Sequence, residues 1–438
     1  MSADASADAV ADDLIGRFAM VRARTDRLTA PLSAEDQVVQ SMPDTSPTKW
    51  HRAHTTWFFA EFVLGADGTS GRRWDRPEYR FLYNSYYEAV GARHPRPDRG
   101  LVTRPSVAEV ADYRAQVDDA VEQLLARGEG TGLASTLVLG THHEEQHQEL
   151  LLLDIKHVLA MNPAVGPAYA EVVAAPAQDP GSIGWVEFGG GLVEVGRGCD
   201  DASPVDGFAF DNEGPCHEVR LYDYALADRL LTAGDWLAFI DDGGYRRPEL
   251  WKSDGWYRAQ SEAWEAPLYW RRNPDDPSTW WIHTMTGLRL VDPHEPVVHV
   301  SYYEADAFAT WAGARLPTEF EWEHAAASRP VDGVFLAEQD PACVFHPTSA
   351  GPATGDLRQF FGDCWEWTSS AYQPYPGFRP AGGAIGEYNG KFMSGQQVLR
   401  GGSVYTPPGH VRPTYRNFFH PHTRWHGAGV RLAVDQVR

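Results

Sequence analysis

The stretch from Pro163 to Gly184, PAVGPAYAEVVAAPAQDPGSIG, separates two textures that one packed layer cannot accommodate. It is rich in Pro, Ala and Gly and reads as a linker. Before it, apolar residues recur at helical spacing. Leu14, Phe18, Val21, Thr25 and Leu28 alternate steps of four and three, one face of a helix. A second helix is predicted from Pro47 to Leu64, with Trp50, Trp57, Phe58 and Phe62 apolar and Gly65 as its stop. A third begins at Ser106-Val-Ala-Glu109, a capping-box pattern, and carries Val110, Val117, Val121 and Leu124 before Gly128. A fourth runs from about Ser135 to Met161 and ends ahead of Pro163. Four helices of this length predict a bundle.

Beyond Gly184 short alternating runs such as WVEFGGGLVEVG and HEVRLYDYALA sit between Gly and Pro turns. Short helices are expected only in places, around Thr232–Ile240 and Tyr303–Gly313. This half reads as α+β and loop-rich. The expected organisation is a helical domain over residues 1–165, a linker over 166–183 and an α+β domain over 184–438. A length of 438 residues suits two or three cores rather than one.

A formal net charge of −22 disfavours nucleic acid and anionic membrane surfaces as partners. No apolar run approaches the ~20 residues of a membrane span. The acidic start, MSADASADAVADDL, lacks the layout of a signal peptide, and a cytoplasmic location is expected. Cys199, Cys216, Cys343 and Cys364 form no C-x-x-C pair. The expectation is a reducing compartment, no disulfide framework and no cysteine-based zinc site.

The fourth helix carries His143-Glu-Glu-Gln-His147-Gln-Glu149. Histidines four apart project from one face, and continuing that face through Leu150, Leu151 and Asp154 turns it toward the bundle interior. The pair is a ready metal clamp. A third ligand must come from another helix, and the second offers His51 and His54. His54 shares a face with Trp50, Trp57 and Phe58 and is the better placed; His51 lies one turn earlier. Three neutral imidazoles suit Fe(II) with open positions for substrate and O₂, but zinc also accepts three histidines and water. Spacing alone leaves the metal open.

Several motifs together resemble the ergothioneine-biosynthesis sulfoxide synthases along nearly the whole chain. They are Trp50–His54 followed by Thr55-Thr-Trp-Phe-Phe59, Asn84-Ser-Tyr-Tyr-Glu-Ala-Val90 and the H-x-x-x-H-x-E segment. The second half adds Phe210-Asp-Asn-Glu-Gly-Pro215, Ala314-Arg-Leu-Pro-Thr-Glu319, Gly362-Asp-Cys-Trp-Glu-Trp367, Leu399-Arg-Gly-Gly-Ser403 and Gly429-Val-Arg-Leu432. The resemblance implies a DinB-like four-helix domain followed by a formylglycine-generating-enzyme-like domain of C-type lectin fold. It implies Fe(2+) held by His54, His143 and His147, with O₂ as co-substrate. The implied substrates are hercynine (Nα-trimethylhistidine) and a thiol, cysteine or γ-glutamylcysteine, joined as a sulfoxide at the imidazole C2.

The same resemblance implies a hercynine site using Gln146, Asn417, Phe418, Phe419 and Tyr388, with ring faces against the trimethylammonium. Arg93 and Arg96 resemble an arginine pair that binds substrate carboxylates. Two departures bear on the thiol. The γ-glutamylcysteine users carry an acid where this chain has Phe419 and a donor tyrosine where it has Ile385. A second subtype, associated with free cysteine, carries a tyrosine pair matched here by Tyr86 and Tyr87, the candidate proton or electron donors; Tyr372 and Tyr375 are the fallback. Competing expectations are a selenosugar-using relative, a non-catalytic DinB/lectin-like metal-binding module, and a zinc or nickel thiol transferase that needs no O₂. A formylglycine-generating enzyme needs late copper-binding cysteines, and residues 400–438 contain none.

Overall fold

The structure is a computed structural model that describes residues 3–65, 75–127, 133–162, 166–169, 177–198, 207–337, 345–380, 382 and 384–436. The chain divides into two compact units. The first comprises Met1–Ala164 and the separate segment Gly382–Tyr388, and the second comprises Val165–Ala381 and Asn389–Arg438. Of the stretch expected to link the domains, residues 163–165 and 170–176 lie outside the described residues.

The first unit is helical. Helix α1 spans Ala3–Thr29, and the apolar stripe of the sequence is its buried face, with Phe18, Val21, Thr25 and Leu28 all under 4% exposed. Helix α2 spans Thr48–Phe59 and every one of its residues is buried. It continues as a wider π turn, Ala60–Leu64, closed by the Gly65 N–H on the Ala60 carbonyl. A short helix α3, Pro77–Tyr83, has no counterpart in the apolar periodicity. Helix α4, Val107–Ala126, starts in the capping box expected at Ser106: Glu109 N donates to Ser106 Oγ at 3.2 Å and Ser106 N to Glu109 Oε2 at 2.7 Å. Helix α5, Ala134–Ala160, packs on α1 and α2. Gly140 makes that approach possible: a Cβ there would lie 2.5 Å from Phe59 Cε1 and 3.0 Å from Phe58 Cε1. α5 is also tied by charge. Glu144, fully buried, accepts from Arg22 Nη1 (2.8 Å), Arg114 Nη2 (2.7 Å) and Thr25 Oγ1 (2.6 Å). Burial opposes its ionisation, but Arg114 and Arg22 outweigh that and hold its carboxyl at about 2.

Among the described residues the second unit is built from short strands and the short α-helices α6 (Ala233–Asp241), α7 (Ser253–Ser261), α8 (Tyr302–Trp311) and α9 (Glu319–Ala326). One sheet joins the start and end of the unit, with Tyr224–Ala227 central between Trp185–Phe188 and Ala433–Asp435. A second has the order Asn417–Phe419, Gln397–Arg400, Trp365–Ala371, Ala428–Gly429, and only the last pair is parallel. The sequence motifs of this half meet in its core as ion pairs. Arg431 Nε donates to both oxygens of Glu366 (2.9 and 3.0 Å), whose Oε2 also accepts from Trp322 Nε1. Glu319 accepts from Arg400 and Arg416, each at 2.8 Å to Oε2. Arg431, Glu366 and Arg400 are fully buried. Buried charges so paired are costly to break one partner at a time.

Cys216 is disulfide-bonded, which corrects the expectation of cysteines without disulfides. Pairing depends on how closely two Cβ atoms approach in space, and linear spacing does not report that. Cys364 is free and buried; Cys199 and Cys343 lie outside the described residues. No helix among the described residues is long and apolar enough to cross a membrane.

Candidate metal centre

Within the first unit, α2 contributes His54 and α5 contributes His143 and His147. One ligand nitrogen from each lies within 4.8 Å of the other two. His54 and His143 are 0% and 1% exposed, and His147 is partly exposed. His54 Nδ1 donates to the Tyr83 carbonyl oxygen at 2.6 Å, which turns its Nε2 lone pair toward His143 Nε2, 3.1 Å away. The Trp50 ring stacks on His54 at 4.6 Å and 12°, and the Arg99 guanidinium covers the far face of Trp50 at 3.4 Å. Burial pushes His54, His143 and His147 below their usual range, His143 to about 3, so all three rings are neutral donors.

The donor set fits a divalent transition metal. Two nitrogens about 2.1 Å from one ion and at right angles stand about 3.0 Å apart, close to the His54–His143 separation. The Nδ1 of His143 is buried without a hydrogen-bond partner among the described residues, so no neighbour on that side fixes which of its ring nitrogens carries the proton.

The tyrosine pair follows α3. Tyr87 is fully buried against Trp57 (5.9 Å), Phe62 (5.1 Å) and Phe58 (6.5 Å). Its hydroxyl lies 3.5 Å from that of Tyr86, which is only partly buried. Burial, then Tyr86, pushes the Tyr87 phenol well above its usual value. Tyr388, from the separate segment of this unit, lies 5.7 Å from His143 and 6.0 Å from Tyr86 between ring centres, and its hydroxyl donates to the Gln146 side-chain oxygen. Glu387 anchors that segment, accepting from the backbone N–H groups of Glu88 (3.0 Å) and Ala89 (2.9 Å).

Residues 17–159 match the DinB superfamily, and residues 173–436 match the sulfatase-modifying factor enzyme 1-like domain. The chain is 35% identical to a protein of Mycolicibacterium smegmatis named hercynine oxygenase, over 97% of this chain and 99% of that one. A hercynine oxygenase of Mycobacterium tuberculosis is 34% identical with the same coverage. The chain belongs to the hercynine oxygenase family. A more distant relative, ergothioneine biosynthesis protein 1 of Schizosaccharomyces pombe, is 27% identical over 52% of this chain and 28% of its own length.

In this hercynine oxygenase relative the remaining candidates fall into two groups. Arg93 and Arg96, in the first unit, are exposed; Arg93 pairs with Glu88 (2.6 Å) and Arg96 donates to the Asp44 carbonyl (2.5 Å). Asn417, Phe418 and Phe419 belong to the second unit, where they form one half-exposed edge strand. Phe418 stacks on Tyr372 at 4.1 Å and 10°, and Phe419 lies 4.3 Å from His426. Tyr372 and Tyr375 bond to Asn212 and Glu319 of the same unit. The side chain of Ile385 lies outside the described residues.

Two residues of the first unit escaped sequence reasoning. Arg99, rather than Arg93 or Arg96, is the buried arginine beside the histidines, bonded to Ser46 Oγ (2.9 Å) and Ser85 Oγ (3.1 Å). His51, ranked behind His54 and set aside, is 3% exposed and faces the same group: its Nδ1 lies 2.8 Å from His147 Nδ1. Its other nitrogen, Nε2, lies 3.0 Å from Asp154 Oδ2. Asp154, on the face that carries His143 and His147, was the available signal that an inward partner existed.

Proposed function

We propose that this oxygenase is a non-haem iron(II) enzyme of ergothioneine biosynthesis that uses O₂ to join the sulfur of cysteine, or of γ-glutamylcysteine, to C2 of the hercynine imidazole. The observation that carries the reading is the convergence of His54, His143 and His147 in a chain that matches hercynine oxygenases along nearly its whole length. The reaction balances as a C–H and an S–H bond exchanged for C–S and S=O, with O₂ reduced and water released.

His54, His143 and His147 would hold the metal. When bound, ferrous iron supplies electrons to dioxygen and a common template for thiolate and imidazole. Gln146, beside His147 on α5, offers its amide to the hercynine ring, and Tyr388 fixes that amide through its hydroxyl. Tyr86 and Tyr87 supply the phenolic protons in this reading; Tyr86, the less buried, is assigned as the donor, and Tyr87 backs it at 3.5 Å. Asn417, Phe418 and Phe419 are assigned to hercynine by resemblance to the family alone, and Arg93 and Arg96 are free to exchange their surface partners for a substrate carboxylate. Phe419 in place of an acid, together with the tyrosine pair, favours free cysteine as the thiol. The chain works in the cytoplasm on small molecules in this reading.

The test is to load the protein anaerobically with Fe(II), then admit O₂ with hercynine and either cysteine, γ-glutamylcysteine or a selenosugar, and identify products by mass spectrometry. A cysteine–hercynine sulfoxide is expected. Product only with the selenosugar would reassign the donor, and failure of all three with iron bound would overturn the reading.

A further inference from the structure

His147 is held by a second histidine and, behind it, a carboxylate. Asp154 Oδ2 accepts the Ser46 backbone N–H at 2.7 Å and faces His51 Nε2 at 3.0 Å. A carboxylate oxygen accepts, so His51 Nε2 carries the ring proton and His51 Nδ1 presents a lone pair. His147 Nδ1 stands 2.8 Å from that lone pair and must donate to it. Each nitrogen along the row is thereby assigned, and the one left over, His147 Nε2, is the atom with a free lone pair. The rings of His147 and His51 lie 5.1 Å apart, and those of His147 and His54 4.6 Å.

We infer that His51 is a positioning residue for the metal centre: with Asp154 it fixes the tautomer and rotamer of His147 so that Nε2 faces His54 and His143. The inference rests on the metal reading above. His147 is the ligand that needs such support, because it is the least enclosed of the three. His54 has the Tyr83 carbonyl for the same purpose. Ligand histidines commonly donate their second nitrogen to a carboxylate or carbonyl, and removing that partner weakens metal binding about 10–100-fold. Here an imidazole intervenes, so the acceptor next to His147 is neutral and the carboxylate charge sits one ring further out. His51 and His54, three apart on α2, thus divide the work between orienting a ligand and being one.

The test compares the wild-type chain with His51→Gly, Asp154→Asn and His147→Ala. Each is titrated anaerobically with Co(II) and with Fe(II) against a chromophoric chelator, and the Co(II) ligand-field spectrum is recorded. Asp154→Asn is nearly isosteric and keeps an acceptor for the Ser46 N–H, so it reads the row even if the glycine variant folds poorly. The expected result is a 10–100-fold loss of affinity in His51→Gly and Asp154→Asn, an altered ligand-field spectrum, and recovery of affinity in His51→Gly on adding free imidazole. Nitrogen NMR of the metal-free chain should show the His147 proton on Nδ1. Wild-type affinity and spectrum in both His51→Gly and Asp154→Asn would overturn the inference while the metal reading stands. Failure of the wild-type chain to bind either ion would overturn both.

Discussion

Gly140 meets the edge of the Phe59 ring so closely that a single added methyl group would lie 2.5 Å from Phe59 Cε1. Phe59 ends α2 and Gly140 lies one turn before His143, so this contact sets the spacing between the helices that carry the histidines. Gly140→Ala should gain a little helix propensity yet lose about 1–3 kcal/mol by overpacking. The metal titration should weaken as well, because His143 moves with its helix. A variant of unchanged stability and affinity would show that the ring yields freely.

Glu144 is the buried anion on which Arg22, Arg114 and Thr25 converge. Glu144→Gln should cost about 3–5 kcal/mol, since it leaves two buried guanidinium groups short of charge. Its carboxyl is held at about 2, below the ordinary 4.5. The stability it contributes is therefore fully present above pH 4.5 and is lost as the pH falls toward 2. Urea unfolding of wild type and variant should converge across that window.

Asp363 in the second unit titrates in the opposite sense. Burial pushes its carboxyl up to about 7, although Thr348 N donates to it at 2.8 Å. The folded chain therefore takes up this proton before the unfolded chain does, and stability gains about 1.4 kcal/mol per unit as pH falls from 7 to 4. Asp363→Asn should be more stable than wild type at pH 8, and its advantage should shrink by pH 5. Thermal unfolding at the two values checks this.

Tyr86 and Tyr87 differ in burial, and so should their variants. Tyr86→Phe should raise sulfinic acid relative to sulfoxide product with little change in folding, since its hydroxyl is the accessible one. Tyr87→Phe should shift the ratio less. Product ratios unchanged in both would remove the pair from the reaction.

Local features were the legible ones. The Ser106 cap and the buried stripe of α1 follow from residue chemistry within a few positions, and the structure has both. The choice of His54 followed from its shared face with Trp50 and Trp57, and His54 does stack on Trp50. What escaped depends on distance along the chain. His51 sits only about 60° around the helix from His54, so periodicity ranks the two without showing that both point inward; only the position of Asp154, 103 residues away, gives His51 its role. The π turn at Ala60–Leu64 has the composition of an ordinary helix end, so nothing in its residues announces the wider turn. Ion pairs such as Glu319 with Arg400, 81 residues apart, appear in the sequence only as separate motifs.

The first compact unit is discontinuous, since Gly382–Tyr388 belongs to it. On the ribosome this means that the unit begun first waits for a segment made near the end of the chain. Roughly 220 residues separate Ala164 from Tyr388, and at 5–20 residues per second their synthesis takes roughly 11–45 s. During that interval the three imidazoles can assemble before the phenol that bonds Gln146 has been made. On the proposed metal reading, the nascent chain thus passes through a stage in which a cation could reach the histidines without that phenol in place.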